Sequence, residues 1–315
     1  MTIDIVTDAG VTIKIEIESF SRRRKGRMTI LKFQNSSVTT SDGVQLHCVE
    51  HPVINSHGTV LLVHGLGEHS ARYDHVVQVM NRSGLSVMRF DHRGHGLSPG
   101  RRGHIPSYET FLDDLSLVAN RVIENRPNQK IVLYGHSMGG GIVANWALRR
   151  FDDSWSDHVI GAVLSAPWFR LTSQLTLWQK LLAFPVAGVF PKLTISTKIH
   201  VTQTCRSDDA IERFQRDSLN HRRISLRTLT ECYRAGQFAL ANAERFPLPI
   251  LAVHGSADRV TSPEATREFC SKINDARFIP LDDLIHEPHH DPKWREVVYH
   301  TTEWILKRYR FAFAA

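Results

Sequence analysis

From about residue 36 onward, short apolar runs alternate with stretches whose apolar residues recur at helical spacing. "TVLLVHG", "LSVMRFD", "KIVLYGHS", "HVIGAVLSAP" and "PILAVHGSAD" lack the in-out alternation of half-exposed strands. Such runs predict strands buried on both faces. Upstream, "SSVTTSDGVQLHCVEH" predicts a β-hairpin turning at Ser41-Asp42-Gly43. Helices are expected at 71–82, 109–126, 263–273 and 292–309, and "ARFIPLDDLIHE" supplies a further strand. Strand and helix in regular succession predict a mostly parallel sheet with helices on both faces.

Two stretches fall outside this rhythm. Between Pro167 and Pro247 lies a segment far too long for a connecting loop, so it must carry structure of its own. Leu171, Leu175, Trp178 and Leu182 share a helical face there, and "SLRTLTECYRAGQFALANAE" is a second helical run. Residues 168–246 are therefore expected to be a helical lid set over the end of the sheet. The start of the chain is the other exception. "VTIKIEIESF" alternates like a strand and leads into a basic run, so 1–27 is read as an extension. The catalytic core is then 28–167 joined with 247–315.

Charge changes this picture little. Of the net +7, five charges sit on Arg22, Arg23, Arg24, Lys25 and Arg27, leaving +2 for everything else. A nearly neutral body without a recognition motif argues against nucleic acid as a partner. Cys48, Cys205, Cys232 and Cys270 form no C-x-x-C pair, so free thiols and a cytoplasmic location are expected. No run approaches the roughly 20 apolar residues of a membrane span, and the first residues lack a signal peptide's apolar centre.

The candidate chemistry gathers at strand ends, where parallel sheets place their active groups. In "YGHSMGGG", Ser137 sits where a strand turns abruptly into a helix, framed by Gly135 and Gly139. A G-x-S-x-G turn of this kind lifts a serine oxygen clear of the backbone. Asp258 follows the strand in "LAVHGSADRV", and His286 follows "ARFIPLDDLI". A serine hydroxyl needs an imidazole to take its proton, and the imidazole needs a carboxylate to fix its tautomer. Ser137, His286 and Asp258 are the candidates for those roles. The backbone N–H groups of Leu66 and Met138 are candidates for an oxyanion hole, with His64 shaping the loop beside them.

Together, "HGLGEHSARY", "DHRGHGLSPGRRGHI", "GHSMGG" and "GSADRV" resemble the monoacylglycerol lipase and lysophospholipase branch of the serine α/β-hydrolases. The resemblance runs from about residue 36 to 309. It implies an α/β-hydrolase fold with a helical cap, triad roles for Ser137, Asp258 and His286, oxyanion roles for Leu66 and Met138, and no cofactor. It also implies a lipid ester substrate. Trp168, Phe169, Leu171, Leu175, Leu177, Trp178, Leu181 and Leu182 exceed what one helix needs for packing, so part of this surface is expected to line an acyl pocket or touch a lipid surface. Residues 1–27 have no counterpart in the pattern, and the cap sequence is too distant to carry over substrate contacts.

Other readings leave specific marks. A metal site would draw on His286, His289, His290 and Asp291 of "HEPHHD", but no second element offers matching ligands. A peptidase releasing N-terminal residues would need acids for the substrate amine, for which Asp208, Asp209 and Glu212 are the candidates. A non-catalytic binding protein on this fold commonly lacks a triad residue, and here all three are present.

Overall fold

Eight strands form the central sheet of the computed structural model: β1 (Gln34–Thr39), β2 (Gln45–His51), β3 (Thr59–Val63), β4 (Ser86–Phe90), β5 (Ile131–His136), β6 (Val159–Ser165), β7 (Ile250–Gly255) and β8 (Ala276–Leu281). The structure describes residues 28–151, 155–173 and 184–312, with the backbone of the paired strands Thr2–Val6 and Thr12–Glu16. Their order across the sheet is β8-β7-β6-β5-β3-β4-β2-β1. Neighbours from β4 to β8 run parallel, whereas β2 and β1 are joined antiparallel at one edge. The mostly parallel sheet is thus the architecture that the apolar runs predicted.

Those runs are continuous because successive side chains enter two different cores. In β3, Leu61 and Val63 join one cluster while Val60 and Leu62 join the other, all fully buried. Helices α1 (Asp74–Arg82), α2 (Tyr108–Asn125), α3 (Met138–Arg150), α4 (Asp208–Arg216), α5 (Leu226–Ala241), α6 (Pro263–Ser271) and α7 (Trp294–Ala312) complete the framework. Apolar residues of α1 and α7 fill one core, and those of α2, α3, α5 and α6 fill the other. The expected hairpin turn is present, with Gly43 at φ 83°, a left-handed conformation that suits glycine.

The strand order reverses around β3, which has β5 on one side and β4 on the other. At such a switch point the loops leaving the carboxyl ends diverge and open a crevice. The segment between β6 and β7 supplies a short helix over 184–189, the antiparallel pair Thr194–Ser196 with Arg223–Ser225, and helices α4 and α5. Its two ends are built into the main core. Trp168 and Phe169 are buried there, Phe169 lying 4.3 Å ring to ring from Phe269. At the other end, α5 packs on α3, where Asn145 Nδ2 donates to Ala235 O at 3.1 Å. Trp168 and Phe169 therefore do not face lipid; Leu171 is half-buried against the same core. Leu175, Leu177, Trp178, Leu181 and Leu182 lie outside the described residues. Among the described residues no helix is long and apolar enough to cross a membrane.

Candidate active site

The site is built from the turn after β5. Ser137 has φ 52° and ψ −115°, a backbone state that side chains larger than hydrogen rarely adopt. The flanking glycines allow it. A Cβ on Gly139 would stand 2.1 Å from Val63 O, and one on Gly135 would stand 2.5 Å from Gly139 O. Without those side chains the start of α3 closes onto β3. Hydrogen bonds hold the turn: the Ser137 N–H donates to Ser165 O at 2.9 Å, and the Trp168 N–H donates to Ser137 O at 2.8 Å.

Three residues far apart in sequence meet at this point. Ser137 Oγ lies 2.9 Å from His286 Nε2, and His286 Nδ1 lies 2.7 Å from Asp258 Oδ2. All three are buried. The other oxygen of Asp258 accepts from the N–H groups of Val260 (2.7 Å) and Thr261 (3.2 Å). Burial alone would raise the Asp258 pKa, but the charges and hydrogen bonds of His286 and His254 hold it far below the ordinary carboxylate value. For His286 burial works downward, yet Asp258 prevails and its pKa stands above the usual 6.5.

Sequence reasoning missed the support around Asp258. His254 Nε2 lies 2.9 Å from Asp258 Oδ2, and its Nδ1 lies 2.8 Å from Thr266 Oγ1. Thr261 Oγ1 is 3.1 Å from the same carboxylate oxygen. Spacing offered only a weak signal here, since His254 stands four residues before Asp258. Also missed was a buried ion cluster under the loop after β3. Glu68 accepts from the Gly65 N–H at 2.6 Å and from the Tyr73 hydroxyl at 2.8 Å. Arg72 bridges Glu68 (2.8 Å) and Glu287 (2.6 Å), the residue after His286. Losing one partner of a buried pair is costly because it strands the other charge. The cluster therefore fixes the Gly65-Leu66 turn and the His286 loop relative to each other.

The Met138 N–H belongs to the first turn of α3, where no intrahelical acceptor exists. The loop carrying Leu66 comes close by, with a Cβ built on Gly65 only 3.2 Å from Ser137 Cβ. His64 ties this loop to its neighbour: its Nε2 accepts from the His92 N–H at 3.0 Å, and its Nδ1 faces Gly65 O at 2.7 Å. Burial depresses the His64 pKa to about 3, so it stays neutral.

The remaining candidates are elsewhere. Asp282 and Asp283 are exposed. His289 and His290 occupy a buried turn, where His289 stacks on Tyr73 at 4.6 Å and its ring nitrogens have no hydrogen-bond partner among the described residues, so it is not part of the Ser137–His286–Asp258 relay. Among the described residues no group of His, Cys, Asp or Glu is arranged to hold a metal ion. Asp208, Asp209 and Glu212 face solvent on α4, and Asp209 and Glu212 are paired with Arg213 and Arg216 on the same helix.

Comparison with known proteins extends this picture. The sequence model of the family described as "Serine aminopeptidase, S33" matches residues 54–293. An uncharacterized abhydrolase domain-containing protein of Dictyostelium discoideum is 31% identical over 82% of the chain, which spans only 27% of that longer protein. A monoacylglycerol lipase of Mycolicibacterium smegmatis is 26% identical over 81% of the chain and 90% of its own length. Among solved structures, the monoacylglycerol lipase of Paleococcus ferrophilus superposes with a TM-score of 0.74 at 29% identity, covering 88% of this chain and all of that one.

Proposed function

The chain belongs to the serine aminopeptidase S33 family of serine α/β-hydrolases, and from that membership we propose that it is an ester hydrolase acting on monoacylglycerol-type lipids through an acyl-enzyme on Ser137. One observation carries the reading: the hydrogen-bonded line from Ser137 Oγ to His286 to Asp258. His286 Nε2 takes the serine proton as Oγ attacks the ester carbonyl. Asp258 holds the Nδ1–H tautomer and stabilises the imidazolium that forms. The N–H groups of Leu66 and Met138 receive the developing oxyanion, a contribution typically worth about 10²–10³ in rate per donor. The imidazolium then protonates the leaving alcohol. In the second half, His286 activates a water that releases the fatty acid.

The peptidase alternative lacks support, because Asp208, Asp209 and Glu212 are solvated on α4 rather than turned toward Ser137. We place residues 168–246 over the crevice as its cap, and propose that the cap meets the lipid phase from which the substrate is drawn.

A pH profile tests the relay. Only neutral His286 can accept the serine proton, and Asp258 raises its pKa. Activity is therefore expected to fall with decreasing pH through a midpoint above about 6.5, the ordinary histidine value. An acid limb of kcat/KM centred near pH 5 on a soluble ester would mean that His286 is not the base.

A hydrolysis series tests the substrate class. Each buried methylene contributes about 0.8 kcal/mol, so kcat/KM on monoacylglycerols is expected to climb with acyl length, up to about fourfold per carbon below the micelle limit. Monoacylglycerols should exceed triacylglycerols and aminoacyl amides. A flat chain-length profile, or faster turnover of the amides, contradicts the lipid assignment and leaves the serine chemistry intact.

A further inference from the structure

Charge is uneven across the segment between β6 and β7. From Trp168 to Ser207 the sequence contains no Asp or Glu, whereas Arg170, Lys180, Lys192, Lys198 and Arg206 are basic. Two other stretches, His92–Tyr108 and Ser218–Thr230, are equally free of acids and carry Arg93, Arg101, Arg102, Arg222, Arg223 and Arg227. The fold brings all three together. Strand Thr194–Ser196 pairs with Arg223–Ser225, joining the first to the third. The Ser225 N–H donates to Gly103 O at 2.9 Å, and Arg101 Nε donates to Thr194 Oγ1 at 3.3 Å, which adds the second.

Part of this basic charge is neutralised locally. Arg93 meets Asp42 and Asp114, Arg170 meets Glu268, Arg206 meets Asp291, and Arg227 lies near Glu231. Arg101, Lys192, Lys198 and Arg223 are exposed and have no acidic partner among the described residues. Their fields reach inward as well: His104 is held below its ordinary pKa by burial first and then by Lys192 and Arg101.

The same region exposes apolar side chains. Val189 is 71% exposed, Phe190 61% and Leu193 50%. Ile195, opposite Ile224 in this strand pair, is also open to solvent, as is Leu97 in the second acid-free stretch. Apolar groups clustered among unpaired cations mark a contact surface rather than an ordinary solvated face. An acidic solute would satisfy the cations and leave Phe190 and Val189 in water. An anionic bilayer satisfies both, with phosphates for the cations and an acyl boundary for the apolar groups.

We propose that this face docks on an anionic lipid bilayer, with Val189, Phe190 and Leu193 entering the headgroup boundary and Arg101, Lys192, Lys198 and Arg223 pairing with lipid phosphates. The inference rests on the lipid-ester reading and adds the surface from which such an ester is taken. Each Lys or Arg near an anionic membrane contributes about fivefold in affinity. Salt weakens the attraction beyond a Debye length of about 8 Å at physiological ionic strength.

Cosedimentation of the full-length protein with vesicles tests it, using phosphatidylcholine alone and phosphatidylcholine mixed with phosphatidylglycerol. Binding is expected on the anionic vesicles, with little on the neutral ones, and high salt should release it. Combining Arg101→Gln, Lys192→Gln, Lys198→Gln and Arg223→Gln should weaken binding by about a hundredfold or more. Phe190→Ser should weaken it by about tenfold. Both variants should hydrolyse a soluble p-nitrophenyl ester like the parent. Equal binding to neutral vesicles overturns the proposal. So does a fourfold variant that binds like the parent, since the basic run Arg22–Arg27 would then carry the attraction. A dimer that the substitutions dissolve, with no vesicle binding, assigns the face to a second copy and overturns it too. Failure of the parent to cleave the soluble ester would sink the hydrolase reading instead, so the two failures stay distinct.

Discussion

Ser137→Ala is expected to lower kcat/KM on a soluble ester by about 10⁴-fold or more, because no other nucleophile replaces the hydroxyl. The residual rate would come from the oxyanion donors and from binding. Stability should hardly change. Among the described residues the Ser137 side chain bonds only to His286, while the backbone bonds that hold the turn, from Ser137 N–H to Ser165 O and from Trp168 N–H to Ser137 O, do not involve it. Alanine also occupies the same strained φ of 52° at no extra cost. The thermal midpoint should thus remain within the range of a change below about 1 kcal/mol. The parent should form a fluorophosphonate adduct at Ser137 by mass spectrometry, and the variant none. Near-native turnover by the alanine variant would end the mechanism proposed above.

Asp258→Asn is expected to cost about 10⁴-fold in kcat. The carboxylate oxygen that faces His286 Nδ1 at 2.7 Å also faces His254 Nε2 at 2.9 Å. An amide nitrogen placed there would set N–H groups against one another. Turning the amide around instead aims its N–H groups at the Val260 and Thr261 N–H donors. The first orientation forces the wrong His286 tautomer and the second removes the acceptor of the Val260 and Thr261 N–H groups; in both, the His286 pKa falls because the charge that raised it is gone. The acid limb of the residual activity should move to lower pH. His286→Ala should be at least as damaging, since it removes the base itself. Asp282→Asn and Asp283→Asn, at exposed positions, should leave kcat/KM within about twofold. Comparable loss at Asp283 would reassign the carboxylate.

The depth of these effects depends on parts with very different legibility. Apolar periodicity is a local property, set by the repeat of two in strands and 3.6 in helices. Residues 59–63, 131–136 and 250–255 therefore announced themselves as buried strands, and the hairpin at Ser41-Asp42-Gly43 did so through its turn chemistry. The order of Ser137, Asp258 and His286, each after a strand, was legible for the same reason, since parallel strands deliver their following loops to one edge. The surplus of apolar residues in the inserted segment was legible as well, but its destination was not. Trp168 and Phe169 went into the core, while Val189, Phe190 and Leu193 stayed outside.

By itself, then, the sequence determined the fold class, the succession of elements and which strand ends carry chemical groups, because each follows from composition and period within a short window. Only the tertiary structure decided which of those groups touch. Arg72 and Glu287 pair across 215 residues, and nothing local in either segment marks the partner. His254 found Asp258 because the chain doubles back after β7. Three acid-free stretches, unremarkable one by one in a nearly neutral body, came together when Thr194–Ser196 paired with Arg223–Ser225 and Arg101 reached Thr194. Contacts of this kind are set by packing and loop closure over long separations, and a one-dimensional pattern carries no record of the distance between its parts.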